Sequence, residues 1–192
     1  MHGLVNRSIE HFLREGYGQE VWQRIAQAAG CNPDGFNGLH SYSGAVTDAL
    51  LHAASDILGK SGCEILEDTG ASLIRCEAIR RLLRFSGGDF GDFVLSLEEL
   101  PGRARMVLPD IAIPAVTVTL LGVDSYLIQG REWQAGLPWM IAGALRGMAD
   151  DYGVLALIEA GGDGVRLSVL DGQYAQSRPF AIHSGTAAVQ GA

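Results

Sequence analysis

The side chains able to do chemistry are few and scattered. Histidines stand at His2, His11, His40, His52 and His183, so none falls between Ala53 and Ile182. No pair has HxxxH or HExxH spacing, which would turn two imidazoles to one metal from a single helix face. His52 lies on a helical stripe and reads as a surface or half-buried structural residue. Cys31, Cys63 and Cys76 are odd in number and lack CxxC spacing. They read as free thiols of a reducing compartment, with a three-cysteine zinc site as the other reading. Glu98-Glu99 and Asp150-Asp151 are adjacent pairs, and helix neighbours point to different sides, so neither makes an acid–base dyad. There is no GxSxG elbow, P-loop or dinucleotide fingerprint. Gly161-Gly162-Asp163-Gly164 opens no helix and is explained by a hairpin turn. The expectation is a protein that is not an enzyme. Phe12, Tyr17, Trp22, Phe90, Phe93, Trp133 and Trp139 supply aromatic bulk. They form either ordinary core or the wall of an apolar pocket between two lobes.

The elements that must position these residues fall into two styles. Helical periodicity covers 4–17 (Val5, Ile9, Phe12, Leu13), 18–29 (Val21, Trp22, Ile25, Ala26) and 43–58 (Val46, Leu50, Ala53, Ile57). Residues 31–38 form a loop. One or two helices fill 62–84, broken near Gly70. Asp89 is placed to cap a helix over 90–100, after which Pro101-Gly102 follows. Beyond Pro109 the pattern changes. Residues 115–121 and 125–129 are β-rich around Gly122-Val123-Asp124, a helix fits 137–150, and strands fit 153–159 and 164–170. A helical half followed by ββαββ predicts an α+β fold, with a helix laid on a small antiparallel sheet. Pattern is lost from about 171, and 171–192 reads as a C-terminal extension or tail.

Bulk composition excludes several classes. Hydrophobic residues make up 47% and charged residues 19% of the 192, which suits a folded domain with a sizeable core. The formal charge of −8 and short mixed charge clusters argue against nucleic-acid binding. The longest apolar stretches, 111–121 and 137–145, are too short for a membrane span, and Met1 to Arg7 lacks the apolar run of a signal peptide. A cytoplasmic protein is expected.

Several motifs together resemble the haem–nitric oxide/oxygen binding (H-NOX, or HNOB) family. The opening Met1-x-Gly3-Leu4-Val5-Asn6 gives a short strand-like start. Ile9, Phe12, Leu13, Tyr17-Gly18 and Val21-Trp22 follow at the family's spacing. Leu66 to Gly70 and Leu82 to Leu100 are similar to the helices before the family's proximal haem ligand. Pro109 to Pro114, the hairpin and Gly143 to Ala149 then come in the family's order. The resemblance spans roughly 1–170 and implies one domain, with a helical lobe at about 1–60 and an α/β lobe at about 61–170. It implies a bacterial-type sensor holding haem b, with a proximal histidine on the iron and a Tyr-x-Ser-x-Arg clamp on the propionates. It also implies nitric oxide sensing passed to a signalling partner: a histidine kinase, a cyclic-di-GMP enzyme or a cyclase.

The chain departs from this pattern where the cofactor is gripped. Leu97-Glu98-Glu99-Leu100-Pro101 puts Pro101 where the family has its proximal histidine, and proline has no side-chain donor for iron. The clamp aligns with Leu127-Ile128-Gln129-Gly130-Arg131, leaving Arg131 in place, Gln129 at the serine position and Tyr126 one residue out of register. Ile74 matches a pocket-lining position. The expectation is a sensory or regulatory module of H-NOX type without conventionally ligated haem, its cavity plugged or open to a small apolar ligand. The alternative is a haem-based NO/O2 sensor with a nonstandard anchor, such as Cys76.

Overall fold

The computed structural model describes residues 3–85, 87–107, 115–131 and 133–171. The N-terminal half is helical: α1 (Gly3–Tyr17), α2 (Gln19–Ala28), α3 (Gly44–Leu58), α4 (Gly62–Leu73) and α5 (Glu77–Arg84). Then come α6 (Phe90–Leu95), a 3₁₀ turn (Ser96–Glu99) and α7 (Leu100–Val107). The second half holds β1 (Thr117–Gly122), β2 (Ser125–Gln129), α8 (Leu137–Tyr152), β3 (Leu155–Gly161) and β4 (Gly164–Asp171). The strands form one antiparallel sheet in the order β1-β2-β4-β3. This is the α+β arrangement expected from the change of periodicity after Pro109.

Local chemistry explains several boundaries. Ser61 and Glu64 form a reciprocal capping box that starts α4. Asp89 accepts from the Asp92 amide at 2.8 Å and starts α6, as its position predicts. Asp124, at φ 54°, turns the β1–β2 hairpin, a conformation aspartate tolerates better than most residues.

Three boundaries differ from the sequence reading. The described residues do not begin as a strand: α1 starts at Gly3. The break in 62–84 falls after Leu73, not near Gly70. And the chain stays helical beyond Leu100, because Pro101 sits in the first turn of α7, where its missing amide costs nothing.

Gly70 is a packing residue instead of a breaker. A Cβ on Gly70 would lie 1.9 Å from the Met140 carbonyl oxygen, and one on Gly143 would lie 1.9 Å from that of Glu67. The α4 and α8 backbones therefore approach more closely than any side chain permits, in the most extensive helix–helix interface of the described residues. Arg146 of α8 locks the crossing. It pairs with the Glu67 carboxylate and donates to the Ile158 carbonyl of β3 at 2.9 Å.

Two buried clusters flank this crossing. The first gathers Ile9, Leu13, Trp22, Ile25, Leu50, Ile65 and Leu66 from α1–α4. Its walls are tied by polar contacts the apolar pattern does not show. The buried Glu10 carboxylate meets Arg14 Nε at 3.0 Å and accepts the Phe36 amide at 2.8 Å, and Thr47 donates to Asn6 at 2.7 Å. The second cluster gathers Ile74, Leu83, Phe90, Phe93, Val94 and Leu97 with α8 and the sheet's inner face. On that face Tyr126 lies opposite Leu167, and Ile128 opposite Val165. Tyr152 stacks on Phe93 at 5.7 Å with the Arg84 guanidinium 4.4 Å from its ring, and its hydroxyl donates to the Gly87 carbonyl at 3.1 Å.

Two tests follow from this packing. Gly143→Ala should destabilise by about 1–3 kcal/mol, because the steric cost of overpacking exceeds the helix-propensity gain of up to about 1 kcal/mol. Gly102→Ala, with open space around it, should be neutral or stabilising. Denaturant unfolding compares them, and equal effects would contradict the close crossing. Burial, reinforced by Asp124, Asp89 and Asp92, raises the Tyr126 hydroxyl above its ordinary value. The folded state favours the neutral phenol, so this contribution is complete below pH of about 10 and is lost as pH climbs through the raised value. Tyr126→Phe should therefore flatten the alkaline fall in stability; an unchanged alkaline limb would reject this origin.

Candidate functional site

Helix α8 presents three different faces. Gly143 and Gly147 meet α4 and Ile74, while Ala142 and Ala149 belong to the cluster shared with the sheet. Leu137, Ile141, Ala144, Leu145 and Met148 recur at helical spacing and line a cavity. Leu83 of α5, Phe93 of α6, Leu97 and Leu100 close one side, and Val116, Ile128 and Trp133 the other. The cavity volume is about 160 Å³, and its walls expose no polar surface.

The depth of burial grades from floor to rim. Phe93, Ile128, Leu145 and Met148 are buried, whereas Leu100, Val116, Trp133, Leu137 and Ile141 are half-buried. Two hydrogen bonds hold the rim. Trp133 Nε1 donates to the Ala115 carbonyl at 3.1 Å, and Glu98 accepts the Val118 amide at 2.7 Å. The second bond joins the 3₁₀ turn before Pro101 to the outer edge of β1. The Trp133 indole also packs against Gly130, where a Cβ would fall 1.5 Å from Nε1, so a side chain at this position would displace the ring.

The residues singled out in the sequence are not brought together. Pro101 is buried on α7, next to Leu100, but is not among the lining residues. Arg131 is exposed in the turn after β2. Gln129 faces away from the cavity, on the outer sheet face with Leu127, and donates to the Asp163 carbonyl at 2.7 Å. Tyr126 is on the inner face with Ile128, as the alternation of burial shows. Ile74 is buried against Gly147 and does not reach the cavity. Of the seven aromatics, only Phe93 and Trp133 line it; Phe12, Tyr17, Trp22 and Trp139 belong to the first cluster, and Phe90 packs with Tyr152. The cavity thus lies inside the second cluster, not between the two. Pro109 to Pro114 fall outside the described residues.

A haem does not fit this donor set. A ligand of drug size needs a cleft of roughly 300–1,000 Å³, and a porphyrin is at least that large, whereas the cavity holds about 160 Å³. Among the described residues no lining side chain carries an oxygen, sulfur or imidazole nitrogen donor other than the Met148 thioether. Among the described residues no three His, Cys, Asp or Glu side chains are grouped to hold a metal. Cys63 and Cys76 are exposed, and burial raises the half-buried Cys31 thiol. His11, His40 and His52 are exposed on the first half of the chain.

The comparisons with known proteins agree with this architecture. A family model described as Haem-NO-binding matches residues 2–159. Soluble guanylate cyclase 89Db of Drosophila melanogaster is 22% identical over 155 residues, covering 79% of this chain and 23% of that protein. Soluble guanylate cyclase gcy-31 of Caenorhabditis elegans is 21% identical over 154 residues, covering 79% and 22%. The chain therefore spans about a quarter of the length of these relatives. Among solved structures, a Cs H-NOX mutant bearing 4-cyano-L-phenylalanine superposes with a TM-score of 0.71 at 16% identity, over 89% of this chain and 97% of that one. An oxygen-binding H-NOX domain related to soluble guanylate cyclases gives 0.65 at 17%, over 89% and 96%. At such identities the likeness is one of fold.

The Glu98 contact yields a direct test. Glu98→Ala should speed hydrogen exchange at the Val118 amide while costing under about 1 kcal/mol, since the carboxylate is exposed. Glu99→Ala should leave that amide protected. Equal exchange in both variants would remove the link between the 3₁₀ turn and β1.

Proposed function

This chain belongs to the Haem-NO-binding family, and on that footing we propose that it is a regulatory module of H-NOX type working without conventionally ligated haem. The observation that carries the proposal is the cavity itself. It abuts the segment where the family resemblance expects the iron ligand, yet its walls are apolar and its volume is a fraction of what a porphyrin requires. Pro101 supplies no donor atom, and among the described lining residues the Met148 thioether alone could offer one.

In this reading the module has no catalytic role, and its output is mechanical. A ligand changes a protein only through unequal affinity for two conformations. Leu97 and Leu100 sense the cavity from one side, and Glu98 between them grips β1. Filling or emptying the cavity biases the 3₁₀ turn, and the edge strand follows. Helix α8 joins that cluster to α4 and so to the helical lobe, with 1–60 and 61–170 as the two moving parts. A cytoplasmic signalling protein, such as a histidine kinase, a cyclic-di-GMP enzyme or a cyclase, reads the result. The cyclase names of the matched relatives are consistent with such a partner, although the likeness covers only about a quarter of each.

The rival reading is a gas sensor whose haem is anchored by another residue. Cys76 is the natural substitute, but it is exposed at the start of α5 and does not line the cavity. Expression with haem supplied separates the two. The purified full chain should be colourless, with no stoichiometric Soret band. Pro101→His should stay colourless too, because position 101 does not open onto the cavity. One haem per chain in the unaltered protein, with a Soret band that moves on adding nitric oxide, would overturn the proposal.

A further inference from the structure

The cavity has a size and a chemistry that define its occupant, and this argument rests on the haem-free reading above. A cavity of about 160 Å³ is close in size to a roughly 150 Å³ hole lined by Leu, Ile and Phe, which stays dry and takes benzene or xenon. The walls here are of the same kind, with Trp133, Val116 and Met148 added. Water needs two to four polar partners to be held, and the described lining residues offer none. A ligand with a charge or a hydroxyl would lose its solvent hydrogen bonds without replacement. Any favourable occupant is therefore small, neutral and unable to hydrogen-bond.

The cavity is graded in depth. Its rim residues are half-buried, and Trp133 among them packs on the bare backbone of Gly130 and donates one hydrogen bond to the Ala115 carbonyl. The floor residues Phe93, Ile128, Leu145 and Met148 are buried.

We propose that this cavity binds one small hydrocarbon-like molecule of about the size of benzene, in contact with Trp133 at its half-buried rim. Selectivity comes from shape and from the penalty on polar groups. The bound ligand touches Leu97 and Leu100, so it acts directly on the segment that Glu98 ties to β1.

The test uses the full chain with benzene, xenon, phenol and benzoate as probes. Benzene at roughly five times its dissociation constant should raise Tm by about 2–4 °C, with a saturable change in Trp133 fluorescence that disappears in Trp133→Phe. Xenon should show a saturable, exchange-averaged resonance shift, and benzoate no effect; phenol should bind at least tenfold more weakly than benzene. Ala144→Leu, which fills the cavity from α8, should weaken benzene binding at least tenfold. Should that variant fold poorly, Leu100→Trp plugs the hole from its half-buried rim. Absence of a saturable response to both benzene and xenon would overturn the inference, as would benzoate matching benzene or undiminished binding in a folded plugged variant. A parallel haemin titration separates the two proposals. One-to-one uptake that displaces benzene sinks the haem-free reading and this inference with it. No haem uptake and no benzene response sinks this inference alone.

Discussion

The structure depends on how closely α4 and α8 can approach. Met140 and Glu67 present carbonyl oxygens to glycines on the opposite helix, at distances that no Cβ could occupy. That contact sets where α8 lies, and α8 in turn has one face for the sheet cluster and another for the cavity. Were the helices held apart by ordinary side chains, Leu145 and Met148 would shift toward Phe93 and Ile128, and the cavity would change shape. A pair of residues without side chains thus governs the volume of a site to which they contribute no atom.

The same dependence explains what could and could not be read from the chain alone. Helix and strand positions came through well because periodicity is a local property: the β1–β2 hairpin, α8 and the Asp89 cap all stand where spacing puts them. Gly70 was misleading for a physical reason. In isolation a mid-helix glycine weakens a helix, but here its partner lies some seventy residues further on, and no local pattern reports that. Pro101 misled similarly, since proline ends one helix and begins the next with equal ease.

The candidate site was legible in chemistry but not in place. The want of a donor at position 101 and of histidine through the middle of the chain is a property of composition, legible without any coordinates. The family resemblance pointed to Gln129, Arg131 and Ile74, yet none of the three lines the cavity. Strand alternation turns Gln129 outward, Arg131 lies beyond the strand end, and Ile74 is occupied by Gly147. Within that motif it is Gly130 that packs against a lining residue, the Trp133 ring three positions later. The rim contact from Glu98 had equally little to announce it, because Glu98 and Glu99 are indistinguishable until the edge of β1 is in view.

Arg146 carries a mechanical corollary. Its rigid guanidinium spans a carboxylate on α4 and a main-chain oxygen on β3, gripping both at once. Its long stem, and that of Glu67, can follow small displacements of either anchor, so one side chain tethers a helix of the first cluster to a strand of the second without fixing the gap between them.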